Sequence, residues 1–196
     1  MSTRRLILAS ASPRRRELLE QIGCAFEVMP AVGEENAAAD TPAGLVRKLA
    51  EMKAQEVAGR LKAQGISEEL LVLGSDTVVA CDGKVLGKPA DDDEARRMLR
   101  LISGRAHTVR TGAAGIFLPE GRAISFSEET KVFVAPLSDG DIEAYIATGE
   151  HRDKAGSYGV QGVFARHIER IEGDYFTVVG LPLSRVWREI INAGTE

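Results

Sequence analysis

The sequence predicts a mixed α/β fold in which helices flank a twisted sheet. Short apolar runs such as Leu6 to Ala9 and Leu70 to Leu73 read as buried strands, whereas stretches of about 10 to 20 residues with a 3.6-residue apolar period read as helices. The two kinds of segment alternate along most of the chain, which is the pattern of helices packed on a sheet. No internal repeat, low-complexity stretch or Pro/Ser-rich linker interrupts them.

Leu6 to Ala9 runs into Ser12-Pro13, where Ser12 suits a helix N-cap, Pro13 the first helical position and Gly23 the residue past the end. Thr41-Pro42 opens a second helix that runs toward Gly65 by the same signal. The strand Leu70 to Leu73 leads through Gly74-Ser75-Asp76-Thr77 into Val78-Val79-Ala80. Asp82-Gly83 then predicts a two-residue hairpin that returns the chain through Lys84 to Gly87. Asp91 and Glu94 form a capping-box pattern, followed by Ala95, Met98, Leu99 and Ile102 on one helical face. Strands are expected at about 108–118 and 125–135, and a short helix from Ser138-x-x-Asp141 to about Gly149. The tail predicts strand-like stretches near Phe164 to Ile171 and Phe176 to Gly180, then a helix from about Pro182 to Ala193.

The 196 residues suffice for one substantial domain or two small lobes. Apolar residues make up 44% and charged residues 28%, which excludes a disordered or collagen-like chain. With 25 Lys and Arg against 29 Asp and Glu, the net charge of -4 argues against general binding to nucleic acid or anionic membrane. Cys24 and Cys81 are too few for a disulfide framework and form no Cys-x-x-Cys pair. The early apolar run is too short for a signal peptide, and far short of the roughly 20 residues of a membrane helix. A cytoplasmic protein is the expectation.

The chemistry begins at Ser10-Ala11-Ser12-Pro13-Arg14-Arg15-Arg16. A strand that ends in serines ahead of a helix start presents backbone N–H groups and a positive dipole end, and guanidinium groups add bidentate contacts for phosphate oxygens. Three arginines in a first turn oppose the helix dipole unless an anion compensates them. A solvated basic helix end is the plainer alternative. Arg15 begins the stripe of Leu18, Leu19 and Ile22, and Lys53 shares a stripe with Val46, Ala50 and Val57. Lys53 is therefore either a snorkelling lysine or a functional one.

Asp76 follows an apolar strand, near the carboxyl end where α/β sheets build ligand sites. A carboxylate there holds a hard cation or orients a water, or else simply caps a turn. Lys88 follows the hairpin, which allows it to return near Asp76. Glu34-Glu35 is a weak metal signal, and Asp91-Asp92-Asp93 reads as helix capping rather than a metal cluster. His107, His151 and His167 lack ligand spacing. No P-loop or dinucleotide fingerprint is present. The loop from Asp153 to Gly162 is rich in glycine, so its backbone can approach a ligand, and Gln161 offers a donor and an acceptor for a base edge. A mobile linker is the alternative there.

Together these segments resemble the Maf family of nucleoside triphosphate pyrophosphatases. The likeness runs from Leu6 to about Leu183 and rests on an ordered set. It comprises Leu6-Ile7-Leu8-Ala9-Ser10-Ala11-Ser12-Pro13-Arg14-Arg15, Gly74-Ser75-Asp76-Thr77-Val78-Val79, Gly87-Lys88-Pro89, Ser103-Gly104 and His107-Thr108-Val109. Thr148-Gly149-Glu150, Asp153-Lys154-Ala155-Gly156, Gln161-Gly162 and Val178-Val179-Gly180-Leu181-Pro182-Leu183 complete it.

The resemblance implies one Maf-like domain over 1–196, with two lobes, similar to inosine triphosphate pyrophosphatases and holding the nucleotide in a cleft between them. It implies cleavage between the α and β phosphates to a nucleoside monophosphate and pyrophosphate. Asp76 takes the place of the general base; Ser10, Arg14, Arg15, Glu35, Lys53 and Lys88 form the phosphate and metal environment. A divalent cation, Mg²⁺ or Mn²⁺, is expected on Asp76 and Glu35, and a homodimer is the expected assembly. Arg14, Thr77 and Gln161 match the subfamily that acts on dTTP and UTP, with modified pyrimidine triphosphates as further substrates. Ser75 stands where many of its members have Ala, and occurs in the 7-methyl-GTP group. Phe176-Thr177 departs from a frequent Asn-containing pattern. A 7-methyl-GTP pyrophosphatase, a nucleotidyltransferase and a non-catalytic nucleotide-binding regulator of septum formation remain as rival readings.

Overall fold

The computed structural model describes residues 4–33, 37–66 and 68–193. Its strands, β1 (Arg5–Leu8), β2 (Phe26–Val28), β3 (Leu70–Cys81), β4 (Lys84–Leu86), β5 (Ala106–Leu118), β6 (Arg122–Val134) and β7 (Ile168–Glu172), form a mixed sheet. Their hydrogen-bonded order is β2-β1-β3-β5-β6-β7, and β4 also pairs with β3. β1 lies parallel to both β2 and β3, whereas β4 on β3 and β7 on β6 are antiparallel. The flanking helices are α1 (Pro13–Gln21), α2 (Pro42–Ala63), α3 (Asp92–Ile102), α4 (Asp139–Ile146), α5 (Tyr175–Val179) and α6 (Leu183–Val186). The chain divides into two compact units. The first comprises residues 1–76, 111–128 and 180–196, and the second 77–110 and 129–179.

In the first unit β1 and the first part of β3 are buried on both faces, which is why they read as unbroken apolar runs. Side chains alternate along a strand, so Ile7, Ala9, Leu70 and Val72 meet Ala50, Ala54, Val57 and Leu61 of α2. On the other face Leu71 and Ile190 both reach Gly115. The expected ends of α2 stand, with the Thr41 hydroxyl accepting from the Gly44 N–H at 3.1 Å. The Ser12 cap does not. Ser12 occupies the N-cap position of α1, but its side chain makes no capping hydrogen bond.

In the second unit Ala95, Met98, Leu99 and Ile102 of α3 and Ile142, Tyr145 and Ile146 of α4 share one core with Val79, Val109, Val132 and Val134. The Asp82-Gly83 hairpin forms as expected, with positive φ at both residues (49° and 74°), the combination that a type I′ turn requires. Asp91 accepts from the Glu94 N–H at 2.7 Å, but the Glu94 carboxylate reaches back to the Ala90 N–H instead of the cap residue itself. Ser138 and Asp141 close a full reciprocal box at α4.

Three further expectations need correction. The segment Gly74 to Thr77 does not connect two strands but continues β3 without a break. Gly74 is not there to turn: a Cβ on it would collide with the Ala50 carbonyl and stand 2.9 Å from the Ala54 nitrogen, so it lets α2 approach the strand backbone. Phe176 to Gly180 is not strand-like, because Tyr175–Val179 is a helix. The Asp174 carboxylate accepts from both the N–H and the hydroxyl of Thr177, at 2.6 and 2.8 Å, and this cap outweighs the β preference of Val178 and Val179. Phe164 to Ile171 begins as a 3-10 turn, Val163–His167, before β7 starts at Ile168.

Candidate active site

β1 stops at Leu8, level with Leu73, and the Ala9 N–H makes a last bond to the Leu73 carbonyl at 2.8 Å. The chain then turns away through Ser10 to Ser12 into α1, while β3 continues. Ser75 and Asp76 therefore lie just past the carboxyl end of β1. The crevice rule for α/β sheets holds for β1, not for β3, within which Asp76 is an interior residue.

Alternation sends the two neighbours to opposite faces. Asp76 shares the face of Gly74, toward α2, where Lys53 Nζ donates to Asp76 Oδ1 at 2.6 Å. Both side chains are mostly buried. The lysine that sits in an apolar stripe of α2 is thus an ion-pair partner and not merely a snorkelling side chain. The same close approach at Gly74 that lets α2 lie on the strand brings the ammonium to the carboxylate.

Ser75 is fully buried, and its hydroxyl lies within reach of the Gly112 and Gly180 carbonyls, at 2.8 and 3.1 Å. The Gly180 carbonyl also accepts from Arg15 Nε at 2.9 Å, while Arg15 Nη1 donates to Ser10 Oγ at 3.0 Å. Arg15 is buried, as the stripe of Leu18 and Leu19 requires. Its planar fork ties the end of β1, the start of α1 and the turn before α6 to one another. Ser10 Oγ accepts in addition from the Ser12 N–H at 3.2 Å. The first turn of α1 carries no acidic side chain, so nothing there opposes an anion.

Of the residues expected from sequence, the first unit brings together Ser10 with Arg15 and Lys53 with Asp76, and the Ser75–Gly180 contact links the two pairs. Arg14 is half-buried in the first turn of α1. Thr77, half-buried in β3, and the exposed Lys88 and Gln161 belong to the second unit. Glu35 lies outside the described residues. Asp91 caps α3, Asp92 bonds His151 at 2.9 Å and Asp93 bonds Arg96, so the acidic triplet serves the helix start, as expected. His107 is buried against the Tyr158 hydroxyl at 2.7 Å, and burial lowers its pKa to about 4. Sequence reasoning missed Ser75 and the Gly180 carbonyl as parts of the site. A serine inside a strand buried on both faces is the signal that marks the first.

The Maf-like protein family model matches residues 5–193. A protein of Agathobacter rectalis named dTTP/UTP pyrophosphatase is 46% identical over 201 residues, covering 97% of this chain and 98% of its own. Proteins of the same name from Thermoanaerobacter sp. (strain X514) and Koribacter versatilis are 48% and 47% identical, the first covering 93% of both chains and the second 96% and 94%. Among solved structures the Staphylococcus aureus Ham1 protein aligns with a TM-score of 0.44 at 12% identity, over 84% of this chain and 80% of that one, too loosely to carry an argument.

Proposed function

The chain belongs to the Maf family, and from that premise we propose that it hydrolyses dTTP and UTP between the α and β phosphates, releasing a nucleoside monophosphate and pyrophosphate. Its relatives named dTTP/UTP pyrophosphatase, at 41% to 48% identity over nearly the whole chain, support a nucleoside triphosphate pyrophosphatase. The observation that carries the mechanism is the Lys53–Asp76 ion pair beside the end of β1.

Asp76 is the general base. Lys53 engages Oδ1 and so orients the carboxylate, and Oδ2 takes the proton of the attacking water. The water oxygen bonds to phosphorus, the anhydride bond breaks, and the bridging oxygen leaves with pyrophosphate. Arg14, Arg15, Lys53 and Lys88 supply the positive charge that the triphosphate and the leaving group demand, and Ser10 presents its hydroxyl to a phosphate oxygen. Positioning and electrostatic stabilisation provide most of the catalysis in phosphoryl chemistry. Arg14, Thr77 and Gln161 select the pyrimidine base.

A divalent cation fits this arrangement in one way. Among the described residues no group of three or more His, Cys, Asp or Glu side chains forms a cage. Mg²⁺ and Mn²⁺ need no cage, because one or two carboxylates plus substrate phosphates and water complete their shell. Asp76 would hold the ion with Glu35 before Oδ2 takes the proton, the carboxylate not performing both tasks at once, and the bound ion would neutralise charge on the phosphate oxygens. No described helix is long and apolar enough to cross a membrane. With free Cys24 and Cys81, we place the enzyme in the cytoplasm.

The test is to incubate the purified chain and Mg²⁺ or Mn²⁺ with dTTP, UTP, CTP, GTP and 7-methyl-GTP, scoring pyrophosphate and orthophosphate separately. Conversion of dTTP and UTP to monophosphate plus pyrophosphate is the expected result. A preference for 7-methyl-GTP overturns the substrate reading. Release of orthophosphate overturns the bond assignment.

A further inference from the structure

We propose that Glu150 is a positioning residue for substrate selection, clamping the exposed arch that carries Gln161 so that this side chain meets the base in one place. The inference rests on the reading above, in which Gln161 takes part in choosing the pyrimidine.

Tyr158 and Phe164 are buried in the core of the second unit, each ring about 5 Å from its aromatic neighbours. The five residues between them, 159–163, are not buried. They form an arch with fixed feet and a span that the core does not hold. Glu150 holds it at the far end. Its carboxylate oxygens accept from the Val163 N–H at 3.1 and 3.3 Å.

Gly162, between Gln161 and Val163, has φ 78° and ψ −155°, a conformation that L side chains avoid. A Cβ there would stand 2.5 Å from Glu150 Oε2. The carboxylate therefore lies against bare backbone immediately after Gln161. The main-chain carbonyl of Glu150 meanwhile accepts from the Lys154 ammonium, which also binds Asp153 Oδ1 at 2.7 Å. The Lys154 stem in turn packs on Gly159, where a Cβ would stand 2.9 Å from Lys154 Cε. One residue thus steadies both ends of the arch, by its side chain at Val163 and through Lys154 at Gly159.

Glu150 is itself held. Its N–H donates to the Thr148 hydroxyl at 3.2 Å, and that hydroxyl donates to the Tyr145 carbonyl at 2.7 Å, at the end of α4. A polar side chain discriminates between bases only if its position is set before binding, since a free arch re-forms around any base and pays ordering entropy each time. Loss of the clamp therefore costs selectivity, while the buried feet keep the unit folded.

The experiment compares kcat/KM for dTTP, UTP, CTP and GTP in the full chain and in Glu150→Ala, Glu150→Gln, Gln161→Ala and the Glu150→Ala/Gln161→Ala double variant. Thermal midpoints are recorded for each. The expected result is a fall of about tenfold in the dTTP-over-GTP ratio for Glu150→Ala. Glu150→Gln, whose amide oxygen still accepts from Val163, keeps most of the ratio. In the double variant the ratio equals that of Gln161→Ala alone, an identity that a merely structural Glu150 would not produce. If Gln161→Ala changes the ratio and Glu150→Ala does not, this inference is overturned and base reading by Gln161 stands. If Gln161→Ala leaves the ratio unchanged, the underlying reading fails and this inference with it. Should Glu150→Ala not fold, Glu150→Asp, which keeps the charge on a shorter arm, carries the same comparison, and an unchanged ratio overturns the proposal.

Discussion

Lys53 Nζ stands 2.6 Å from Asp76 Oδ1, an ion pair whose side chains are only 13% and 12% exposed. The partners come from different elements, the middle of α2 and the interior of β3, and Asp76 is the one charged residue of β3. Lys53 shares a helical stripe with Val46, Ala50 and Val57, and Asp76 shares a strand face with Val72 and Gly74. Two apolar surfaces that would otherwise be closed by a further hydrophobic contact are closed instead by charge. A buried ion pair of this kind is costly in desolvation and weak as a stabilising device, but removing one partner leaves the other charge buried alone.

Asp76→Asn is expected to lower kcat for dTTP by about 10²–10⁴-fold, the range attributable to a general base, with the circular-dichroism spectrum unchanged. Lys53→Met is expected to cost about 3 kcal/mol of stability, because it leaves a mostly buried carboxylate without its partner. Urea denaturation reads the second effect. A Lys53→Met protein as stable as the parent would show that the pair contributes nothing.

Arg15 bonds two different acceptors through Nε and Nη1. Lysine has no second donor in that geometry. Arg15→Lys is expected to raise the KM for dTTP about tenfold or more and to destabilise by about 1–3 kcal/mol, since the Gly180 and Ser10 oxygens each lose a charged donor. Steady-state kinetics with thermal melts separates the two. An unchanged KM in a folded protein would remove Arg15 from the site.

Glycines give a paired test of how close α2 comes. A Cβ at Gly74 meets the Ala50 carbonyl, and one at Gly112 stands 2.7 Å from the Arg47 nitrogen, both backbone atoms that cannot yield. Gly74→Ala and Gly112→Ala are each expected to cost more than about 3 kcal/mol. Gly59, inside α2, faces open space within 4 Å. Gly59→Ala is expected to stabilise by about 0.5–1 kcal/mol through helix propensity. Melting temperatures of the three variants check both signs.

Burial holds His107 neutral, lowering its pKa from 6.5 to about 4. The unfolded chain takes up a proton at the higher value, so the stabilisation is complete above pH ~6.5. It is lost as pH falls through 6.5 toward 4 and levels off below that. The shift corresponds to about 3 kcal/mol. His107→Gln, which keeps a neutral partner for Tyr158, is expected to flatten this part of the stability curve. Denaturant midpoints between pH 4 and 8, wild type against variant, measure it.

Much of the fold was legible because its signals are local. Thr41-Pro42, Asp82-Gly83 and Ser138-x-x-Asp141 specify their turns and caps through neighbours a few residues away, and each forms. Phe176 to Gly180 was misread because the cap at Asp174 acts on β-branched residues whose own preference is for a strand. Ser12 had the right type and place, yet the Ser12 N–H turns to Ser10 Oγ and its hydroxyl caps nothing. The three-residue strand β2 exists through its pairing with β1 and has no period of its own to read.

By itself the sequence determined the class of fold, the elements with strong end signals, and the residue types of a triphosphate site: serines and arginines at a helix start, a lone Asp in an apolar strand, a lone Lys in an apolar helical stripe. Those follow from period, propensity and charge, which are properties of neighbouring residues. Only the tertiary structure decided that Lys53 and Asp76 are partners, that Arg15 spans Ser10 and Gly180, and that Asp76 lies inside β3 and beyond the end of β1. These depend on how closely α2 lies on β3 and on where β1 stops relative to its neighbour. Both are distances set by packing between segments far apart in the chain, which no local pattern encodes.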